Sequence, residues 1–212
     1  MRLLEHIQER LPQDHFSKVE LDNLLSGSED SRCGLVKRAV ANGELLRLRR
    51  GFYCLASRYQ RHPLNLFVLA QRIYGPSYIT AESALSYHGW IPEAVPAITS
   101  ATTKRARDFK TPIGFFSYRR VLSVPFYTGV HRESSEGDSF FMASPLKALL
   151  DFVFIYKKEW KGIKPLLQSL RIDEEHLMRL QPDELKDLAG SYRSQRVQKF
   201  LSSIRKDLSP WR

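Results

Sequence analysis

Apolar positions recur at helical spacing from the start of the chain. Leu3, Leu4, Ile7 and Leu11 fall on one face before Pro12 ends the run, so a first helix is expected from Met1 to about Leu11. Ser17 with Glu20 three positions on is a capping-box signal ahead of Val19, Leu21, Leu24 and Leu25, predicting a second helix to about Leu25. The cap-rich turn SGSEDS opens a third, and Asn42-Gly43 closes it. The period then shortens to that of strands at Leu45–Arg49 and Phe52–Leu55, separated by Arg50-Gly51. Three short helices and a hairpin in under 60 residues is the order of a winged helix-turn-helix.

His62-Pro63 is expected to be a linker. Beyond it the pattern predicts a helix at Leu64–Tyr74, a short strand at Tyr78–Thr80 and a helix from Ala81 to His88. Residues 96–143 are strand-like, with runs at Ala97–Thr102, Ile113–Val121, Phe126–Val130 and Ser139–Met142. From Ser144 the helical period returns in SPLKALLDFVFIY, in Ile163–Leu170, near 174–188 and in Tyr192–Leu208. The expected class is therefore α+β: a winged helix-turn-helix domain over 1–60, then a larger mixed α/β domain over 61–212, β-rich at 96–143 and helical at 144–208.

On a wheel turning about 100° per residue, Cys33, Val36 and Val40 cluster on one side of the third helix, and Ser31, Gly34, Arg38 and Asn42 on the other. One side can enter a core while the other offers short polar groups and a long donor, as a helix reading a DNA groove requires. Leu35 falls awkwardly on the polar side. In an extended strand Arg47 and Arg49 share a face, and Gly51 permits the turn that carries Arg50. Such arginines can track phosphates or enter a minor groove; a solvated hairpin is the plain alternative.

Charge sharpens this reading. The chain carries a formal +10, and from Arg32 to Arg58 there are seven basic residues against one carboxylate, Glu44. Polyanions are thus plausible partners. Candidate DNA-binding residues are Ser31, Arg32, Lys37 and Arg38 from the third helix, with Arg47, Arg49 and Arg50 from the hairpin. Lys104, Arg105, Arg107 and Lys110 form a further basic cluster, open to three readings: a solvated turn, a second nucleic-acid contact, or a surface facing a protein. Cys33 and Cys54 give no CxxC pair and are expected to be buried small apolar residues. The histidines show no ligand spacing, so neither a metal nor another cofactor is expected. No apolar run reaches membrane-spanning length, and Glu5 and Glu9 rule against a signal peptide, so a cytoplasmic protein is expected.

The segments NGELLRLRRGFYCL, YITAESALSYHGWIPE, ITSATTKRARDFKTPIGFFSY and ASPLKALLDFV together resemble the AbiEi-type antitoxins of type IV toxin–antitoxin systems. They occur in that family's order and cover most of residues 17–155; the middle segments are more specific than the hairpin. The resemblance implies a winged-helix domain that binds inverted repeats in its own promoter, two copies per operator, and represses the operon. It also implies a second domain that counters a nucleotidyltransferase-like toxin of the AbiEii type, directly or indirectly, and no enzymatic activity. Nothing is carried over to the tail after about Lys157.

The same segments have plain structural readings. Thr80 can cap a helix that packs through Ala84, Leu85 and Tyr87, and His88 is expected to be buried; Ser144, Pro145 and the leucines of SPLKALLD look like helix architecture. QPDELK imitates a nuclease's carboxylate–lysine set, but its Pro and acidic residues suit a helix start, as do Asp173-Glu174-Glu175. Gly27-Ser28 is followed by KRAVA where a nucleotidyltransferase would need paired carboxylates. The alternative function is a protein-interaction module that neutralises a toxin by contact, without specific DNA binding.

Overall fold

The computed structural model of the protein describes residues 3–93, 95–135 and 138–208, a mixed α/β arrangement. Helix α1 spans Leu3–Arg10, and helices α2 (Lys18–Leu24) and α3 (Glu29–Ala41) begin where their caps place them. The first two residues of the expected first helix lie outside the described residues. The Ser17 hydroxyl accepts the Glu20 N–H while the Glu20 carboxylate accepts the Ser17 N–H, and the Ser28 hydroxyl accepts the Ser31 N–H. Each such cap contributes about 1 kcal/mol. Asn42 closes α3, and Gly43 follows at φ +67°.

Strands β1 (His15–Ser17), β2 (Leu45–Arg49) and β3 (Phe52–Leu55) form an antiparallel sheet in the order β1–β3–β2. The hairpin is as expected; β1 is an addition, too short between Pro12 and the Ser17 cap to show a period. Alternation along β3 divides its side chains between two cores. Leu55 joins Ile7, Phe16, Leu21, Ala39 and Leu45 in the smaller one, with Tyr53 packed against it. Phe52 and Cys54, with Leu48 of β2, belong to the larger core. Burial pushes the Cys54 thiol up to about 12, so it is an inert apolar residue as expected. Cys33 is only half-buried.

The rest of the chain builds a six-stranded sheet in the order β6–β7–β5–β4–β9–β8. Its strands are β4 (Ser77–Ile79), β5 (Ala97–Thr102), β6 (Arg107–Thr111), β7 (Gly114–Arg120), β8 (Val130–Ser135) and β9 (Asp138–Ala143). Pairs β5–β7 and β4–β9 are parallel, the others antiparallel. Helix α4 (Leu66–Ile73) packs on β4, β5 and β9, while α5 (Ala81–Tyr87) packs on α6 (Pro145–Ile155) and β5. Short helices α7 (Lys164–Ser169) and α8 (Glu174–Met178) lead to α9 (Pro182–Ser191) and α10 (Gln195–Leu208), which pack on each other and on α6. Among the described residues no helix is long and apolar enough to cross a membrane.

Several details differ from the sequence expectation. Residues 126–129 are not a strand: the Phe126 ring packs 4.9 Å from that of Tyr78, and Gly129, at φ +70°, breaks the extended run. Strands β6 and β8 went unforeseen because Phe109 and Val130 are their only apolar positions. The segment near 174–188 is two helices, parted by Pro182 at the start of α9. Finally, Thr80 occupies the cap position of α5 but its hydroxyl donates to Asp151 (2.7 Å) instead of accepting from the helix. His88 is half-buried, its Nε2 2.9 Å from the Ala143 carbonyl, and Tyr87 packs edge-on to Phe67 and Phe140 while 41% exposed.

SPLKALLD does more than present leucines. Lys147 and Asp151, one turn apart on α6, are both fully buried with Nζ 3.1 Å from Oδ1. Lys147 also donates to the Tyr192 hydroxyl (2.6 Å) and the Ser123 hydroxyl (3.1 Å). Asp151 accepts from Tyr78 (2.9 Å), Thr80 and Tyr192. Burial pulls the Lys147 ammonium below its ordinary range, against the upward pull of Asp151. The network joins α6 to β4, to the loop before β8 and to the α9–α10 junction. Lys147→Met should cost about 3–5 kcal/mol, because it strands a buried carboxylate, whereas Lys147→Met combined with Asp151→Leu should cost less than the single change. Urea unfolding of both variants checks this; a double variant less stable than the single one would contradict it.

Candidate nucleic-acid interface

Ser31, Lys37 and Arg38 stand exposed on α3. Gly34 leaves room for the Arg38 guanidinium, whose Nη1 would lie 3.6 Å from a Cβ added there. Arg32 is more constrained: its Nε lies 3.5 Å from Asp22, and Nη1 donates to the Gly27 carbonyl at 2.8 Å. Leu35 is half-buried.

The hairpin corrects the expected placement of its arginines. In the ladder Leu46 faces Cys54 and Arg47 faces Tyr53, yet Arg49, not Leu48, faces Phe52. This β-bulge inserts a residue and reverses the alternation beyond it. Arg47 therefore emerges with Tyr53 on the α3 side, and Arg49 emerges with Phe52 on the side of the larger core. The two do not share a face. Gly51, at φ +73°, makes the turn beside Arg50, and its carbonyl accepts the Lys18 N–H at 2.8 Å, tying the hairpin tip to α2.

Beyond the bulge, Arg49 and Arg50 meet residues distant in sequence. Strand β2 lies against the β6 edge of the larger sheet. Between them opens a cleft of about 600 Å³ lined by Arg49, Arg50, Arg72, Lys104 and Arg107 with the Tyr74 and Phe109 rings, and no carboxylate lines it. The Arg49 and Arg72 guanidinium carbons lie 5.6 and 5.5 Å from the centre of the Phe52 ring. Lys104 stands 5.4 Å from Tyr74 and Arg107 5.0 Å from Phe109. Arg72 is held by Glu20 (3.0 Å) and Gln13 (2.6 Å); Arg49 donates to the Arg50 carbonyl, and its buried Nε has no partner.

The basic cluster at 104–110 is thus divided. Lys104 and Arg107 line the cleft, while Arg105 and Lys110 are exposed outside its lining. Arg72, Tyr74 and Phe109 were not foreseen. Arg72 follows Arg49 by more than 20 positions and reads in sequence as an ordinary polar residue of a helix; only the fold brings it to the hairpin.

No protein-family model matches the chain, and no curated protein matches it. Concentrated like charge, met by a carboxylate at Arg72 but not in the cleft lining, favours an anion, and the arrangement offers an exposed helix face, a hairpin and an aromatic-floored cleft around β2.

The seam that holds this arrangement contains a histidine. His15 of β1 meets Phe52 edge-on at 6.2 Å, and its buried Nε2 has no partner. Burial, reinforced by the Arg72 charge, lowers its pKa from 6.5 to about 4. The folded protein therefore keeps His15 neutral where the unfolded chain would protonate it. Its stabilisation is complete above about pH 6.5 and is lost as pH falls through about 4, up to roughly 3 kcal/mol. His15→Phe should remove that share, so the gap between wild type and variant in urea unfolding should change between pH 7 and pH 4. A constant gap would contradict the assignment.

Proposed function

We propose that the protein is a DNA-binding transcriptional repressor and antitoxin of the AbiEi type. In this reading residues 1–60 act as a winged helix-turn-helix: α3 enters the major groove and the β2–β3 hairpin is the wing. Arg38, reaching from exposed α3, reads a base edge. Ser31, Lys37 and Arg47 hold phosphates, and Arg32 adds charge from its tether to Asp22. Arg49 and Arg50, joined by Lys104 and Arg107, extend the basic track. The observation that carries the proposal is the bulged hairpin, which sets cations beside α3 on one side and into a carboxylate-free cleft on the other. The antitoxin role, with a nucleotidyltransferase-like toxin opposed by residues 61–212, is supported by the sequence resemblance, as are cytoplasmic location and two copies per operator.

A second reading, a module that neutralises a toxin by contact alone, is favoured by one feature. Leu122, Val124, Tyr127 and Phe141 are 42–66% exposed, and the Tyr127 and Phe141 rings stand 5.5 Å apart. A stoichiometric complex with the toxin in the absence of DNA binding would select this reading.

Titration of the DNA upstream of the protein's own reading frame, with single-base variants of the bound site, tests the first. Arg38→Ala should cost about 1–3 kcal/mol and relax discrimination at one position, whereas Lys37→Ala should weaken all sequences evenly. Equal weakening of every sequence by Arg38→Ala would remove its role as a base reader, and failure of the wild type to select the upstream DNA would remove the repressor reading.

A further inference from the structure

Helix α3 leaves its apolar side incompletely covered. Cys33, Val36 and Val40 were expected to enter a core, yet all three remain half-buried, and Ala39 is the fully buried residue of the helix. Together with Tyr53 of β3 they wall a cavity of about 190 Å³ between helix and hairpin. A dry apolar cavity of about 150 Å³ accommodates benzene, so this one takes a single six-membered ring with a small substituent.

The rim specifies the substituent. Lys18, Arg32, Lys37 and Arg47 border the cavity with one carboxylate, Asp22. Asp22 is already engaged by Lys18 at 2.8 Å and by Arg32 at 3.5 Å. Lys18 also reaches Glu29, and Arg32 the Gly27 carbonyl. Lys37 and Arg47 are exposed, and neither forms a salt bridge among the described residues. Cationic groups at the mouth of an apolar chamber favour an anion carried on an apolar ring, and disfavour a cation of the same shape.

We propose that this cavity binds a one-ring aromatic carboxylate, with the ring among Cys33, Val36, Val40 and Tyr53 and the carboxylate toward Lys37 and Arg47. Occupation would engage two cations assigned above to DNA phosphates, so ligand and DNA exclude each other. That second consequence rests on the repressor reading; the binding itself does not.

Benzoate, with benzyl alcohol as its neutral counterpart, is the probe, titrated by ligand-observed NMR against the full chain without DNA. The expected result is saturable binding, with benzoate about fivefold or more tighter than benzyl alcohol. Val36→Phe or Val40→Phe, each checked for native circular dichroism and melting, should weaken benzoate about tenfold or more by filling the chamber. Arg47→Ala should bring the two probes to within about twofold. Absence of saturation up to about 20 mM, equal affinity for the two probes, or undiminished binding in both filled variants would overturn the site. At benzoate about ten times its dissociation constant, mutual exclusion raises the apparent Kd for upstream DNA about elevenfold, relative to acetate at the same ionic strength. Benzoate binding with unchanged DNA affinity would overturn the exclusion alone. Absence of specific DNA binding in acetate would instead remove the repressor reading, and the benzoate titration would still decide the cavity.

Discussion

Strand β3 is a wall common to two cores, and the placement of every basic group around the hairpin depends on it. Leu55 is buried with α1, α2 and α3, while Phe52 and Cys54 are buried with the larger sheet and its helices. The hairpin thus cannot swing as an exposed arm: moving it outward would uncover Phe52, a ring 1% exposed, at a cost of about 1.5–3 kcal/mol for that side chain alone. Three basic side chains converge on the ring, with Arg49 and Arg72 beside it and His15 at its edge. The bulge then distributes charge, turning Arg47 toward α3 and Arg49 toward the cleft.

Two buried polar arrangements serve different ends in this frame. The Lys147–Asp151 pair is satisfied on every side by Tyr78, Thr80, Ser123 and Tyr192, and fastens α6 to elements from three parts of the chain. Such a network specifies one arrangement of those elements more than it adds stability. Around the cleft the cations lack carboxylates, apart from Glu20 on Arg72. An anion would relieve that repulsion, and the proposed DNA phosphates are anions in a suitable line.

The parts of the fold that depend on local chemistry were legible in the sequence. The Ser17–Glu20 capping box, the Ser28 and Asn42 caps of α3 and both hairpin strands lie where the residues indicate. What depends on long-range packing was not. A bulge at Leu48 leaves no mark in LLRLR, whose alternation reads as regular, so Arg47 and Arg49 seemed to share a face. Arg72 and Phe109 reach the cleft only because β2 settles against β6. Cys33, Val36 and Val40 have the spacing of a buried stripe, but periodicity reports which side of a helix is apolar, not whether a neighbour fills the space beside it. Lys147 and Asp151, at i and i+4 among the leucines of SPLKALLD, carry no mark of burial in the sequence; it follows from Tyr78 and Tyr192, which close over them.

In the proposed repressor the cleft and the wing contact one bound duplex. The salt dependence of affinity for the upstream DNA tests it most directly, comparing wild type with Arg49, Arg50, Lys104 and Arg107 all replaced by Gln. Each phosphate neutralised contributes about 0.9 to the slope of log affinity against log salt. In the variant the slope should be shallower by about 3–4, with discrimination among sequences retained through α3. An unchanged slope would mean that no phosphate enters the cleft and that the duplex is held by α3 and the wing alone.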